Sequence, residues 1–249
     1  MYYELCTQVY DLTKPHEPEG EFAFYSSYAE RALGPILEPM CGSGRFLLPL
    51  LRKGFDVEGT DASPSMLAAC RRRAAELGLT PRIHQQLFEE TALTRQFALV
   101  FIPSGSFGLV TDPSKVREGL TRLRALMLPG AKLVLEAERP VGKESFSFPW
   151  SAGGLVQRPD GSSILTSWSG RYDAEERVKY SWGRYELIDA NGRLCETELQ
   201  QFDIRYYEPD ELEQLLVSVG FVHPRRYQPC TFREPAHADE AFVIEVSSA

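Results

Sequence analysis

The sequence lacks several features that mark common classes of protein. Its five cysteines are scattered and none forms a Cys-x-x-Cys pair, which argues against a disulfide framework or a zinc ribbon and favours a reducing compartment. No apolar run approaches the ~20 residues that cross a bilayer, and residues 1–5 lack the basic start and apolar stretch of a signal peptide. We therefore expect a soluble, cytoplasmic protein without a metal site or a membrane partner.

An excess of basic charge is also absent. The chain has 27 Lys+Arg against 35 Asp+Glu, a formal net charge of −8, which disfavours broad binding to phosphate backbones. The basic triplet 71–73 is interpreted as the solvated face of a helix. None of the four histidines (16, 84, 223 and 237) has a recognised catalytic spacing. We expect no nucleic-acid partner, and no hydrolase-type catalytic set is present.

Strand-like and helix-like segments alternate through the first part of the chain. Strands are predicted at 36–40, 55–60, 81–86, 97–102 and 131–137. Amphipathic segments between them predict helices, one of which is expected to run from Gly44 to about Lys53 with Pro49 as an unfavourable residue inside it. This alternation indicates βαβ units and a mostly parallel sheet.

After Pro140 the pattern changes. Residues 163–206 show no helical periodicity and predict three antiparallel strands at 163–172, 177–188 and 193–206. A helix from Pro209 to Val219 and two strands, 221–227 and 241–246, complete the predicted elements. We expect one α/β domain that is interrupted by an antiparallel insert.

The segment 36–45, ILEPMCGSGR, is the most informative one. It places a strand, a tight Gly-x-Gly turn and a helix start in succession, and glycine lets the backbone approach a ligand closely. Asp61 follows Gly42 by nineteen residues, at the end of the next predicted strand, where an acid can accept hydrogen bonds from ribose hydroxyls. A dinucleotide site would need glycine where Leu47 stands, and there is no phosphate loop. The pattern favours a nucleoside cofactor without phosphates.

With these motifs the chain resembles the class I S-adenosylmethionine-dependent methyltransferases, over about residues 36–138. The matching segments are Glu38-x-x-Cys41-Gly42-x-Gly44-Arg45, Val57-x-Gly59-x-Asp61-x-Ser63-x-x-Met66-Leu67, Phe97-x-Leu99-Val100 and residues 127–133. The inserted sheet is similar to that of small-molecule methyltransferases, including amino-sugar N-methyltransferases. The resemblance implies transfer of a methyl group from S-adenosylmethionine to N or O of a small-molecule acceptor, with S-adenosylhomocysteine as product.

The resemblance also implies a fold and a division of the chain. The fold is α/β and Rossmann-like, with a doubly wound, mostly parallel seven-stranded sheet and a three-stranded antiparallel insert over the active site. The expected parts of the single domain are a lid (1–34), a cofactor-binding core (35–139), a substrate-side insert (140–206) and a C-terminal helix with strands (207–249).

Cofactor-binding roles follow from the same resemblance. Gly42 and Gly44 would pack under the methionine part of the cofactor, Glu38 would orient its amino group and Asp61 would hold the ribose. The remaining expected contacts are Tyr10, Tyr25, Met40, Cys41, Arg45, Ala62, Met66, Leu87, Phe88, Ile102 and Pro103. Two positions depart from the family pattern: Met40 stands where the family has its first glycine, and Leu87 stands where an acid is frequent.

Candidate catalytic and acceptor-binding residues are less distinctive. Glu136 and Glu138 at the end of the fifth strand, together with Tyr10, are the catalytic candidates, although a solvated strand end with Arg139 is the simpler explanation for the two glutamates. The acceptor-binding candidates are Ser104, Ser106, Trp168, Arg171, Tyr180 and Arg184. Aromatic residues in the insert also stabilise a small sheet by cross-strand pairing.

Three alternatives remain open from the sequence: an RNA or tRNA methyltransferase, a nicotinamide oxidoreductase, and a noncatalytic S-adenosylmethionine-binding module. The sequence predicts either a monomer or a homodimer. It predicts neither the acceptor nor the pathway, nor whether a general base takes part.

Overall fold

The computed structural model describes residues 2–140, 142–235 and 239–249, so His237 lies outside the described residues. Its α-helices are Glu4–Thr13 (α1), Glu19–Arg31 (α2), Leu47–Arg52 (α3), Pro64–Glu76 (α4), Pro113–Ala125 (α5) and Pro209–Ser218 (α6). Its strands are Ile36–Pro39 (β1), Val57–Asp61 (β2), Arg82–Gln85 (β3), Phe97–Ile102 (β4), Met127–Glu138 (β5), Phe146–Gln157 (β6), Ser163–Asp173 (β7), Val178–Ile188 (β8), Leu194–Arg205 (β9), Phe221–Tyr227 (β10) and Ala241–Ser248 (β11). No helix within these ranges is long and apolar enough to cross a membrane.

The described residues form a seven-stranded sheet and a separate four-stranded sheet. The larger has the order β10-β11-β5-β4-β1-β2-β3. Strands β1 to β5 pair in parallel, whereas β11 is antiparallel to both β5 and β10. This arrangement confirms the predicted Rossmann-like, mostly parallel sheet. The parallel strands align their carboxyl ends at one edge, which is where ligands bind in such sheets.

The central strands β1 and β4 are buried on both faces. The continuous apolar sequence of β4 predicts this burial, whereas β1 also buries the carboxyl side chain of Glu38. One core layer packs α5 and α6 against the sheet, and a second packs α2, α3 and α4 on the opposite face. Two helices begin with a side-chain cap at the ligand-binding edge: Ser63 accepts from the Met66 N–H of α4, and Asp112 accepts from the Ser114 N–H of α5. Each cap fixes a loop at the carboxyl edge of the sheet.

The inserted sheet is antiparallel, as predicted, but the predicted number of three strands is wrong. The sheet has four strands, in the order β6-β7-β8-β9. The missed strand, β6, is an edge strand. It contains Pro149 and the pair Gly153-Gly154, and its pairing with β7 shifts register in this region. Proline and glycine break the alternation by which a strand is recognised, yet an edge strand with bulges tolerates them.

The N-terminal half also differs in detail from the prediction. Helix α1 has no counterpart among the predicted elements. Helix α3 begins at Leu47 rather than Gly44 because residues 41–46 form a turn. Pro49 therefore lies in the first turn of α3, where no backbone N–H has a partner within the helix, and the expected conflict with helix geometry does not arise.

Gly119 of α5 makes a testable contribution to stability. A Cβ built at this position lies 2.1 Å from a ring carbon of Phe88. Gly119→Ala should therefore lower the free energy of unfolding by about 1–3 kcal/mol through overpacking, measured by urea denaturation. Gly154→Ala is the matched control, since a Cβ there meets nothing within 4 Å. Equal stability of the two variants would contradict this packing argument.

Candidate functional site

A cavity of about 470 Å³ opens at the carboxyl edge of the parallel sheet. The loops after β1, β2 and β4 form its floor. Helix α1 and strand β9 of the inserted sheet contribute to its walls. Its lining includes Tyr2, Tyr10, Glu38, Met40, Cys41, Gly42, Arg45, Asp61, Ala62, Ser63, Met66, Leu87, Phe88, Pro103, Ser104, Ser106, Gln201, Phe202 and Asp203. The cavity therefore lies where a doubly wound sheet binds its ligand.

Asp61 organises the loops that form the floor. Its Oδ2 accepts a hydrogen bond from the Gly42 N–H at 2.9 Å, and its Oδ1 accepts from the Ser63 N–H at 2.8 Å. Gly42 has φ +54°, in the left-handed region that favours glycine. Burial raises the pKa of Asp61, and the two backbone N–H groups oppose that rise. The carboxylate thus joins the loops after β1 and β2 and borders the cavity.

Two non-glycine residues at the cavity adopt the same strained backbone region. Met40 has φ +59° and Ser104 has φ +55°, at a typical cost of about 1–2 kcal/mol each. Met40 occupies the position where the resembled family has glycine, so the strain accounts for that family preference. Backbone strain held at a cavity is a feature of functional sites.

Glu38 and Arg45 each have a buried polar atom without a hydrogen-bond partner: Glu38 Oε2 and Arg45 Nε. Glu38 is 2% exposed, and burial raises the pKa of its carboxyl group well above the ordinary value although the charge of Arg45 opposes the change. The Arg45 guanidinium donates to Ser104 Oγ at 2.7 Å. Unsatisfied buried polar atoms are costly, so both atoms can serve a ligand that brings the complementary groups.

A group of three carboxyl side chains, Glu21, Glu136 and Glu138, adjoins the cavity beyond Ser104; we call it the acidic cluster. Ser104 Oγ donates to Glu21 Oε2 at 2.9 Å, and a Cβ on Gly105 would lie 3.2 Å from Glu138 Oε1.

Glu136 is the distinctive member of this cluster. It is 8% exposed. Burial, together with the charges of Glu21 and Glu138, raises its pKa to about 8 against the opposing charge of Arg45. Such a carboxyl group can exchange a proton near neutral pH.

The raised pKa of Glu136 predicts a pH-dependent stability. The pKa is about 8 in the folded chain against 4.5 ordinarily. Folding therefore favours protonated Glu136, and its stabilisation is complete below about pH 4.5 and lost as pH rises through 8. Glu136→Gln, which stays neutral, should gain stability relative to the parent chain by a few kcal/mol between pH 4.5 and 9. Urea unfolding at the two pH values measures the gain, and a pH-independent difference would contradict the prediction.

Most residues expected to bind the cofactor come together at the cavity. Twelve of the fifteen line it: Tyr10, Glu38, Met40, Cys41, Gly42, Arg45, Asp61, Ala62, Met66, Leu87, Phe88 and Pro103. The other three, Tyr25, Gly44 and Ile102, do not line the cavity. Tyr25 packs between the rings of Phe46 and Phe101, and Ile102 is fully buried in β4. A Cβ on Gly44 would lie 2.7 Å from Cys70 Sγ, which makes this glycine a packing requirement.

The acceptor-binding candidates separate into two groups. Ser104 and Ser106 line the cavity, whereas Trp168, Arg171, Tyr180 and Arg184 do not. Trp168 packs against Tyr185 and Phe202 on the face of the inserted sheet that meets α1. The other three lie on the opposite face, because side chains alternate along a strand. Glu136 and Glu138 lie outside the cavity lining, in the acidic cluster.

Several cavity residues had no sequence signal. Tyr2 lies just before the unpredicted helix α1, and the segment Gln201–Asp203 reaches the cavity only through docking of the inserted sheet. The loop before α5 could have been predicted to reach the cavity, because Asp112-Pro113 marks a capped helix start after the carboxyl end of β4. Lys115 of that helix pairs with Glu89 at 2.7 Å, and both line the cavity. Glu89 thus supplies an acid next to the position of Leu87.

Comparison with known proteins agrees with this geometry. Residues 36–130 match the family model described as a methyltransferase domain. The whole chain aligns, at 26% identity, with 98% of a putative methyltransferase of Bacillus subtilis, YqeM. Residues 36–130 therefore form a methyltransferase domain. The matched residues begin with β1 and include both Gly42 and Asp61. The family match and the cavity therefore concern the same part of the chain.

Solved structures extend the likeness of this methyltransferase to its whole fold. An S-adenosylmethionine-dependent methyltransferase from Clostridium acetobutylicum has a TM-score of 0.76 at 14% identity, with 96% of each chain covered. The sugar N-methyltransferase KedS8 from Streptoalloteichus has a TM-score of 0.73 at 19% identity, over 95% of this chain and 91% of that one. At these identities the likeness concerns the fold, including the inserted sheet.

The cavity residues fit this cofactor. Glu38 Oε2 offers an unpaired acceptor for an ammonium group, and Arg45 Nε offers an unpaired donor for a carboxylate. The Asp61 carboxylate borders the cavity. Each of its two oxygens accepts one backbone hydrogen bond and can accept another from a ribose hydroxyl. Apolar contacts for a flat base come from Ala62, Met66 and Phe88. The methyltransferase thus carries a group of matching chemistry for each part of S-adenosylmethionine.

Proposed function

We propose that this methyltransferase transfers a methyl group to an amine nitrogen of a small molecule. The observation that carries the proposal is Glu136, a buried carboxyl group without a hydrogen bond or ion pair among the described residues, set beside Glu21 and Glu138 next to the cavity. A buried carboxyl group requires a compensating partner. An acceptor ammonium supplies both a positive charge and N–H donors. Glu21 already pairs with Arg45 at 3.7 Å, and a hydroxyl acceptor brings no charge that would offset Glu136.

The proposed cofactor contacts divide the cavity into two ends. Glu38 holds the amino group and Arg45 the carboxylate of the amino-acid part, beneath Tyr10. Asp61 holds the ribose, and the base lies among Ala62, Met66, Leu87 and Phe88. When bound, S-adenosylmethionine supplies a methyl group made electrophilic by its sulfonium. Pro103 and Ser104 then lie between the cofactor end and the acidic cluster.

The acidic cluster prepares the acceptor. Ionised Glu136 binds the acceptor ammonium, takes one of its protons and leaves a lone pair on nitrogen. Glu21, held by Ser104, and Glu138 maintain the negative potential that attracts the cation. The departing sulfur needs no proton, so the protein's contribution is alignment, exclusion of water and removal of this one proton.

Paired acceptors test the proposal. S-adenosylmethionine with a tritiated methyl group is incubated with aminodeoxy sugars and with the matched sugars that carry a hydroxyl in place of the amine. We expect label on the amines only. The fold shared with the sugar N-methyltransferase KedS8 motivates this acceptor set. Label on the hydroxyl sugars would contradict the amine assignment. Label on RNA alone would favour the nucleic-acid alternative, and cofactor binding without transfer to any acceptor would favour a noncatalytic module.

A further inference from the structure

A side chain on a strand almost two hundred residues away in sequence caps the first turn of α1. Helix α1 has no side-chain cap of its own. Glu198 on β9 supplies one instead: Oε2 accepts from the Leu5 N–H at 2.8 Å and Oε1 accepts from the Cys6 N–H at 3.0 Å. On the same strand, Gln200 Oε1 accepts from the Tyr3 N–H at 2.9 Å. A carboxylate at this end of a helix also interacts favourably with its dipole.

The capped helix forms one wall of the cavity. Tyr2 and Tyr10, just before and within α1, both line it. The Tyr2 ring packs edge-on against Phe202 of β9, with centroids 4.8 Å apart, and Phe202 lines the cavity as well. Helix α1 and strand β9 therefore meet along the boundary of the cofactor site.

Helix α1 has further contacts with the inserted sheet and with the core. Leu5 and Cys6 pack against Ile164 and Tyr185 of the inserted sheet. On the core side, Ser63 Oγ donates to the Tyr2 carbonyl at 2.6 Å. Most other side chains of α1 are exposed or half-buried. Val9 joins the same apolar cluster, Cys6 Sγ donates to Tyr185 Oη at 3.2 Å and Asp11 pairs with Arg73 at 3.6 Å. The two charge-assisted hydrogen bonds to Glu198 add to these contacts at the first turn of the helix.

We infer that Glu198 is a positioning residue for the cofactor: its carboxylate fixes α1 to β9, so that Tyr2, Tyr10 and Phe202 close the cavity as one unit. The fraction of molecules in which this unit is closed sets the apparent affinity. Glu198 touches neither cofactor nor acceptor and acts through the helix that it caps. The inference rests on the cavity being the cofactor site and is independent of the acceptor.

Calorimetry with S-adenosylhomocysteine tests the inference on the full-length chain. Glu198→Ala should raise the Kd by about tenfold, and Glu198→Gln, which keeps one acceptor oxygen without charge, by about threefold. The KM for S-adenosylmethionine should rise in parallel while kcat stays within about twofold, because transfer takes place in the closed state. Hydrogen exchange at the Leu5 and Cys6 amides should accelerate. The control is Glu196→Ala, an exposed glutamate of the same strand, which should leave all four quantities unchanged.

Two outcomes would overturn the inference. One is an unchanged Kd and KM in Glu198→Ala although the two amides exchange faster, since the cap would then be irrelevant to the cofactor. The other is a common loss of kcat, affinity and thermal stability in both Glu198 variants, which would mark a purely structural residue. Because the readout is product binding, a failure of the amine assignment leaves this test unaffected.

Discussion

Asp61→Ala should weaken S-adenosylhomocysteine binding by about 100-fold or more. The carboxylate accepts from the Gly42 and Ser63 N–H groups at 2.9 and 2.8 Å, and hydrogen bonds to a charged group contribute about 1.5–3 kcal/mol each. Its loss releases the loops after β1 and β2 and removes the proposed ribose acceptor. A loss of about 2.7 kcal/mol already corresponds to 100-fold in Kd. Calorimetric titration of the variant measures the effect.

Asp189→Ala is the matched control for this prediction. Asp189 also accepts from two backbone N–H groups, those of Asn191 and Arg193, both at 2.9 Å. It does so in the hairpin between β8 and β9, outside the cavity lining. The control variant loses the same kind of turn stabilisation and should bind normally. Equal affinity of the Asp61 variant and the parent chain for S-adenosylhomocysteine would contradict the assignment of Asp61 to the ribose.

The second large effect concerns Glu136. Glu136→Gln should lower kcat/KM for an amine acceptor by about 100-fold or more, as expected for loss of general-base catalysis. The carboxylate is the active form, and burial raises the pKa of Glu136 to about 8. In the parent chain kcat/KM should therefore rise with pH through about 8. In the variant, the rise of kcat/KM that comes from Glu136 should disappear, and only the pH dependence caused by deprotonation of the acceptor amine should remain. A pH series of initial rates distinguishes the two.

Glu245→Gln separates catalysis from burial of a carboxyl group. Glu245 is also buried, at 6% exposure, but it accepts from Tyr28 at 2.7 Å and pairs with Lys132 at 2.9 Å, away from the cavity. This control should lose stability and keep its kcat/KM. Glu136→Gln should show the reverse, since the site carries a charge that folding disfavours. An unchanged pH profile in Glu136→Gln would exclude a role for this carboxyl group in proton transfer.

The parts of the site that follow from sequence are those built by neighbouring residues. Strand, Gly-x-Gly turn and helix lie within 36–52, and Asp61 follows one strand later, so local pattern places all of them at one edge of the sheet. Gly44 shows the limit of this reasoning. Its neighbourhood is predicted correctly, but its lack of a side chain serves Cys70 and Leu48 on the packed side of the loop. A motif does not state which atoms face the ligand.

The parts that do not follow from sequence depend on long-range docking. Tyr25 lies on a helix with aromatic side chains on several faces, and packing against Phe46 and Phe101 decides its direction. Gln201–Asp203 reach the cavity because the inserted sheet lies over the carboxyl edge, an arrangement that no local pattern in 194–205 indicates. The contact between Glu198 and α1 has the same origin. Its two partners are unremarkable until the fold brings them within 3.0 Å.

A crystal structure of the chain with S-adenosylhomocysteine tests the central claim most directly. The account predicts the ligand in the cavity between α1 and the parallel sheet, with its amino group on Glu38, its carboxylate on Arg45 and its ribose hydroxyls on Asp61. The sulfur should point toward Ser104 and the acidic cluster. A ligand bound elsewhere, or one with its base at Glu38 and its amino acid beside Phe88, would contradict the account.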